Sequence, residues 1–294
     1  MTGLAVAFSV VMNAVAGPTG RFELMTRRWS LLGLTTSITV FIIGQLLDNI
    51  PPPYNYPTVF ISLSIGGLIS YYFSSHLRLK DREIPPTPAK EPLVARVKGY
   101  WGEISAEKPF TSFLFKRFVY TTGISLALPL FPLFFVNVVK ASDSTIAFIN
   151  TAQVGVMIIG YFFWSHQSRA RSSRLVLLWT TFGMSLYPIL MAMTRSPSMM
   201  VAFAGMAGIF QAGLDLVFFD ELLRTVPPER SATFVSFAQS VQYVPTILAP
   251  LIGTVLSDWI GLPLALVIAG AIRLLGFALF AINHSPRKTA QAQS

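Results

Sequence analysis

Cysteine is absent from the 294 residues, which removes a disulfide scaffold, a thiolate zinc site and a cysteine nucleophile together. Charge is scarce as well. Asp, Glu, Lys and Arg make up 12% of the chain, against roughly 25% in ordinary soluble domains, so a single water-soluble globule of this size is excluded. The three histidines, His76, His166 and His284, lie far apart and show no paired carboxylates or metal-ligand spacing. No phosphate-cradling glycine loop is recognisable. We therefore expect no metal, no cofactor and no enzymatic activity. What the chain does have is apolar length: 53% of its residues are hydrophobic and its mean hydropathy is +0.59. The formal charge of +9 would suggest nucleic acid in a soluble protein. In a membrane protein the positions of basic residues report orientation first, and the partner implied is the lipid bilayer rather than nucleic acid.

Eight apolar stretches suit a bilayer crossing of about 20 residues. They run from Trp29 to Leu47, Pro57 to Leu77, Phe118 to Val139, Ile146 to Trp164, Leu175 to Met193, Met199 to Phe219, Phe234 to Leu256 and Leu262 to Ile282. Outer-membrane strands would instead show short alternating segments. A ninth stretch, Leu4 to Gly17, is too short, and no Lys or Arg precedes it as the charged start of a signal peptide requires. It is expected to be the tail of a longer helix cut short at the N-terminus.

Nineteen of the 22 Lys and Arg residues fall in every second connection between these spans. Arg21, Arg27 and Arg28 precede the first, a run from Arg78 to Arg117 separates the second from the third, and Arg169, Arg171 and Arg174 follow the fourth. Arg224 and Arg230 follow the sixth, and Arg287 and Lys288 the last. The alternate connections hold only Lys140 and Arg195. The positive-inside rule then places the basic connections and the C-terminus in the cytoplasm, with the inner (plasma) membrane as the expected location. The one long hydrophilic stretch, 78–109, is rich in proline and reads as a cytoplasmic linker. Within it Leu93, Val97, Tyr100, Trp101 and Ile104 recur at helical spacing, as in a short helix lying on the membrane surface, and a merely solvated linker fits equally.

The two ends of the chain repeat one another. Phe22-Glu23-Leu24-Met25 precedes Arg27-Arg28 and a span ending Gly44-Gln45-Leu46-Leu47-Asp48; a proline-bearing turn and another span follow, closing at His76. Asp220-Glu221-Leu222-Leu223 precedes Arg230 and a span ending Gly253 to Asp258; a turn with Pro263 and another span follow, closing at His284 and Arg287-Lys288. Parallel repeats of this kind occur in secondary transporters. On this pattern, and on Asn13 to Pro18 at the foot of a would-be fourth helix, the chain resembles the major facilitator superfamily. Members of that family have two six-helix halves joined by a cytoplasmic linker. The family's loop signature of glycines, Asp and Arg is replaced here by Ser165 to Arg174, in which Arg174 matches the closing base, Arg169 stands where the Asp belongs, and Ser165 and Ser172 stand for the glycines. The antiporter signature of a Gly-Pro followed by glycines is lacking between Ser30 and Leu47.

The resemblance implies an all-α integral membrane fold of two parallel helical-bundle repeats, the second complete and the first partial. Residues 1–77 would be the remnant of the N-terminal half, with part of a fourth helix and all of the fifth and sixth. Residues 110–284 would form the complete C-terminal half, and 285–294 a cytoplasmic tail.

Charged groups within a span are costly and face protein or water, which makes them functional candidates. Asp215 and Arg273 qualify, as an interhelical ion pair, as partners in one polar cavity, or as separate structural groups. A carboxylate such as Asp215 can also carry a proton in exchange for substrate. Asn150, Gln153, Gln211, Gln239, Gln242 and Tyr243 form a second tier of polar residues at membrane depth. The family's cavity is lined by its first, fourth, seventh and tenth helices, which makes Gln211 and Asp215 its best carried-over lining residues here. Arg169, Arg174, Asp220 and Glu221 are candidates for a cytoplasmic gate. Pro129 and Pro132 are expected to interrupt the third span, and Pro245 and Pro250 the seventh. Ala204, Gly208 and Ala212, like Ala249, Gly253 and Ser257, place small residues four apart and suit close helix packing.

Two functions stand on this reading. One is a secondary-active permease moving a small solute by alternating access, ion-coupled, in a chain that is an incomplete form or that gains its missing half from a second chain. The other is a non-transporting assembly or scaffold protein derived from a permease.

Overall fold

The computed structural model describes residues 23–36, 38–39, 42–43, 50–51, 53–76, 102, 104–227 and 230–282. Among these the regular elements are all helical. The expectations for Leu4 to Gly17, for most of the 78–109 linker, for the Gly44 to Asp48 half of the repeat and for the 285–294 tail lie outside the described residues. We label residues 23–36 α1 and Asn55–Ser75 α2. The composite span Lys108–Val139 is α3. Asp143–Ala170 is α4, Ser173–Met193 α5, Pro197–Thr225 α6, Ser231–Ile260 α7 and Leu262–Ile282 α8.

Local chemistry sets the boundaries. Pro109 and Pro197 sit in the first turns of α3 and α6, where no N–H is needed. Ser142 and Ser172 cap α4 and α5, their hydroxyls accepting from the Thr145 and Leu175 N–H groups at 3.3 and 3.2 Å. Gly261, at φ 85°, makes a one-residue turn between α7 and α8. The helix of α3 breaks at Leu128–Pro129, as expected from its prolines, and finishes in a wide π turn over Phe134–Val139 that Lys140 closes at φ 57°. In α7, by contrast, Pro245 and Pro250 do not end the helix, which runs on from Ser231 to Ile260. Most helices extend beyond the apolar runs of the sequence, because the runs mark only lipid-immersed turns. The largest difference is at α3, which begins ten residues before Phe118.

Among the described residues six helices, α3 to α8, are long and apolar enough to cross a membrane. α2 has the length of a crossing, and its large apolar side chains, from Phe60 to Phe73, are mostly exposed.

The described residues divide into two compact units: those of Met1–Thr26 and Tyr100–Ser294 form one, and those of Arg27–Gly99 the other. In the larger unit α4 packs on α6, α6 on α5, α5 on α8, α8 on α3 and α3 on α7. Exchanging α3, α4 and α5 for α6, α7 and α8 maps this set of neighbours onto itself. Each triplet crosses three times, so equivalent helices run in opposite directions, as in inverted-topology repeats. α4 and α7 end the series and carry exposed apolar faces, including Phe148, Ile159 and Phe162 on α4 and Ile247, Leu251 and Val255 on α7.

The small-residue stripes lie at the two equivalent contacts. Ala204 and Ala212 are fully buried on α6, and a Cβ on Gly208 would collide with the Gln153 carbonyl oxygen of α4. On α7, Ala249 and Ser257 are buried, and a Cβ on Gly253 would stand 2.5 Å from the Leu126 carbonyl oxygen of α3. Gly155, on the open side of α4, has nothing within 4 Å. Gly208→Val is therefore expected to lower the thermal unfolding midpoint of the purified chain by the equivalent of about 1–3 kcal/mol, whereas Gly155→Ala leaves it unchanged or slightly raised. Equal midpoints for the two variants would contradict the close approach of α4 and α6.

Candidate functional site

α3, α5 and α7 begin at the end of the bundle where α4, α6 and α8 finish, and this end carries Lys108, Lys116, Arg169, Arg171, Arg174, Arg224 and Arg230. Measured from it, Arg117 is nine residues along α3, Tyr161 nine along α4 and Asp215 ten along α6. At about 1.5 Å per residue, all three stand roughly 14–15 Å from the same end.

There they converge. The Tyr161 hydroxyl donates to Asp215 Oδ2 at 2.9 Å, and Gln211 Nε2, one helical turn before Asp215 on α6, donates to Oδ1 at 2.7 Å. Both carboxylate oxygens are thus held by neutral donors. Arg117 lies within electrostatic reach of Asp215, with its guanidinium 5.3 Å from the centre of the Phe218 ring and its Nε buried without a hydrogen-bond partner. Asp215, Gln211 and Arg117 are half-buried. A half-buried carboxylate held by neutral donors, with an unspent cation beside it, is equipped to exchange a proton or to meet a polar solute.

Arg273 does not join this cluster. Its side chain is 2% exposed and points among α3, α5 and α8, where Nη1 donates to the Met184 carbonyl oxygen at 3.1 Å. That carbonyl is free for a simple reason. In an uninterrupted helix it would accept from the residue four positions on, which here is Pro188 and has no N–H. Tyr120 of α3 also donates to α5, at the Thr181 carbonyl oxygen (2.9 Å). Gly123 leaves room for the arginine stem, since a Cβ there would lie 2.8 Å from Arg273 Cγ. Of the arrangements left open for Asp215 and Arg273, the structure has two separate environments: Asp215 is satisfied across α4 and α6, and Arg273 fills a backbone vacancy in α5.

The other sequence candidates are dispersed. Asn150 is exposed and Gln239 half-buried. Gln242 is buried, with neither end of its amide hydrogen-bonded. Among the gate candidates, Arg169 pairs with Glu23 at 2.9 Å on the surface. Asp220, 2% exposed, accepts from Ser173 Oγ at 2.9 Å and from Arg224 Nε at 2.8 Å. Glu221 lies 3.7 Å from Arg224, and Arg174 Nη2 donates to the Ala281 carbonyl oxygen at 3.3 Å. Tyr161 and Arg117 were not among the sequence candidates. A tyrosine within a span whose hydroxyl must find a partner was the available signal for the first. Arg117 falls, by sequence, among the basic residues of the connection between the second and third spans, because the apolar run starts one residue later.

Six membrane-length helices packed around intramembrane polar groups define a multi-pass protein of the lipid bilayer. Residues 113–294 match the family model of the Major Facilitator Superfamily, and the chain belongs to that superfamily of membrane transporters. Comparison with curated proteins yields no match.

If Arg273 serves the carbonyl that Pro188 frees, the two positions are coupled. Arg273→Met should destabilise the chain in the presence of Pro188 by the equivalent of about 1.5–3 kcal/mol, and clearly less in a Pro188→Ala background, where the helix can make its own bond. Additive effects of the two changes in thermal unfolding would contradict this. The double exchange Asp215→Arg with Arg273→Asp is expected to fold no better than either single change.

Proposed function

We propose that the chain moves a small solute across the membrane by alternating access, with α3 to α8 forming one wall of the pathway, and that Asp215 couples transport to an ion gradient. The observation that supports this reading best is the convergence of Arg117, Tyr161 and Asp215 from three helices at one depth, with Gln211 one turn along, both carboxylate oxygens being held by neutral donors. Tyr161 and Gln211 position the carboxylate; Arg117 supplies the charge that an anionic group or the ionised Asp215 would meet. The open sides of α4 and α7 suit an opposing set of helices, contributed by the same protein or by a second chain. The density of Lys and Arg at one end supports a cytoplasmic position for that end and for the C-terminus, in the plasma membrane. No donor set for a cofactor is invoked and no bond is made or broken in the solute.

The test uses vesicles reconstituted with the full chain and loaded with a pH-sensitive dye, challenged in turn with sugars, amino acids, organic acids and organic cations under an imposed pH gradient. One solute class is expected to change the internal pH, and Asp215→Asn to reduce that response about tenfold or more while leaving the helical content intact. A full response from Asp215→Asn would remove the coupling role. Silence of the unaltered chain towards every solute would favour the non-transporting assembly protein.

A further inference from the structure

Below the Asp215 cluster, at the basic end of the bundle, α3, α5, α6 and α8 enclose a cavity of about 540 Å³, within the size range of small-molecule sites. Its wall carries Lys108, Lys116, Arg174 and Arg224 against the single carboxylate of Glu221. That carboxylate lies 3.7 Å from Arg224, and Asp220, behind the wall, lies 2.8 Å from the same guanidinium, so with both acids counted a surplus of two positive charges remains. Lys116 is half-buried, two turns into α3, and has no carboxylate partner among the described residues. Its ammonium stands 5.9 Å from the centre of the Phe280 ring and close enough to Arg174 for the two cations to repel. Arg174 is held there by donating to the Ala281 carbonyl oxygen in the last turn of α8, one of the carbonyls that a helix end leaves free.

Cations that repel one another around a partly enclosed space are stabilised by an anion that enters it. The charged residues of its wall lie just outside the apolar runs that begin at Phe118 and Leu175 and end at Phe219, and Phe280 gives it an apolar side that suits a ligand with a greasy stem. Basic pockets between transmembrane helices at this level hold anionic headgroups. We propose that this cavity binds the phosphate of an anionic phospholipid from the adjoining leaflet, with Lys108, Lys116 and Arg174 as its contacts. Because the wall draws on both three-helix sets, a bound headgroup fastens them together at that end. A soluble phosphate compound shares the same chemistry, and the experiment separates the two sources.

The full chain is purified in neutral detergent and titrated with dioleoyl-phosphatidylglycerol, dioleoyl-phosphatidylcholine or inorganic phosphate, and bound lipid is counted by native mass spectrometry. The unaltered chain should retain phosphatidylglycerol about tenfold better than phosphatidylcholine, and inorganic phosphate should not displace it. In Lys116→Gln with Arg174→Gln the preference should vanish, while Lys116→Arg keeps it. Lys108→Gln, at the exposed first residue of α3, should weaken it about threefold and serves if the double variant does not fold. Equal retention of the two lipids by the unaltered chain, or an undiminished preference in a folded double variant, overturns the proposal. Displacement of phosphatidylglycerol by inorganic phosphate assigns the cavity to a soluble anion and overturns the lipid assignment.

Discussion

A polar group surrounded by lipid has no water to fall back on, so a partner within the protein is worth more there than at a wet surface. Many hydroxyls of the bundle follow this constraint. Thr122, Thr180, Thr181, Ser185, Thr246 and Ser257 each donate to a carbonyl three or four residues back in their own helix, and so disappear into the backbone ladder. Side chains too long or too rigid for that reach a neighbour instead: Trp164 donates to the Ile209 carbonyl oxygen, Tyr120 to that of Thr181 and Arg273 to that of Met184. Pro188 and Arg273 answer one another in this accounting. Proline withholds a donor from α5, and an arginine on α8 replaces it. A buried cation is thereby turned into a link between helices.

The same constraint separates structural from functional polarity. Where a buried group donates to the backbone of a neighbouring helix, as Arg273 does through Nη1 and Tyr120 and Trp164 do through their single donors, it links helices. Asp215 differs because its partners are themselves side chains on two helices, and because Arg117 remains close without closing on it. Close packing by small residues at α4 with α6 and at α3 with α7 sets the distances across which this cluster forms. The same contacts recur in the two triplets, so each three-helix set is held mainly by helices of the other.

Much of this was legible in the sequence. Unbroken apolar length marked α3 to α8 in their order, the alternation of Lys and Arg grouped their ends, and residues four apart put Gln211 beside Asp215 and Gly208 in a packing face. What the sequence could not carry was contact between helices. Nothing in linear order says that Tyr161 rather than Arg273 faces Asp215, because both stand at a comparable depth and only the helix-to-helix arrangement chooses between them. Arg117 was obscured by a different cause: hydropathy marks where lipid begins, whereas α3 starts well outside it, so a residue inside the helix looked like part of the connection. The uninterrupted course of α7 through Pro245 and Pro250 was hidden for a third reason, since a lost backbone bond can be tolerated when neighbouring groups compensate.

All of these conclusions require that the six helices traverse the bilayer in strict alternation. The natural lack of cysteine makes the decisive measurement direct: single cysteines at Arg171, Arg195, Val226 and Gly261, labelled with a membrane-impermeant thiol reagent in intact cells and in inverted vesicles. Labelling of positions 171 and 226 from one side only, and of 195 and 261 from the other only, is the predicted result. Labelling of 171 and 195 from the same side would contradict the account.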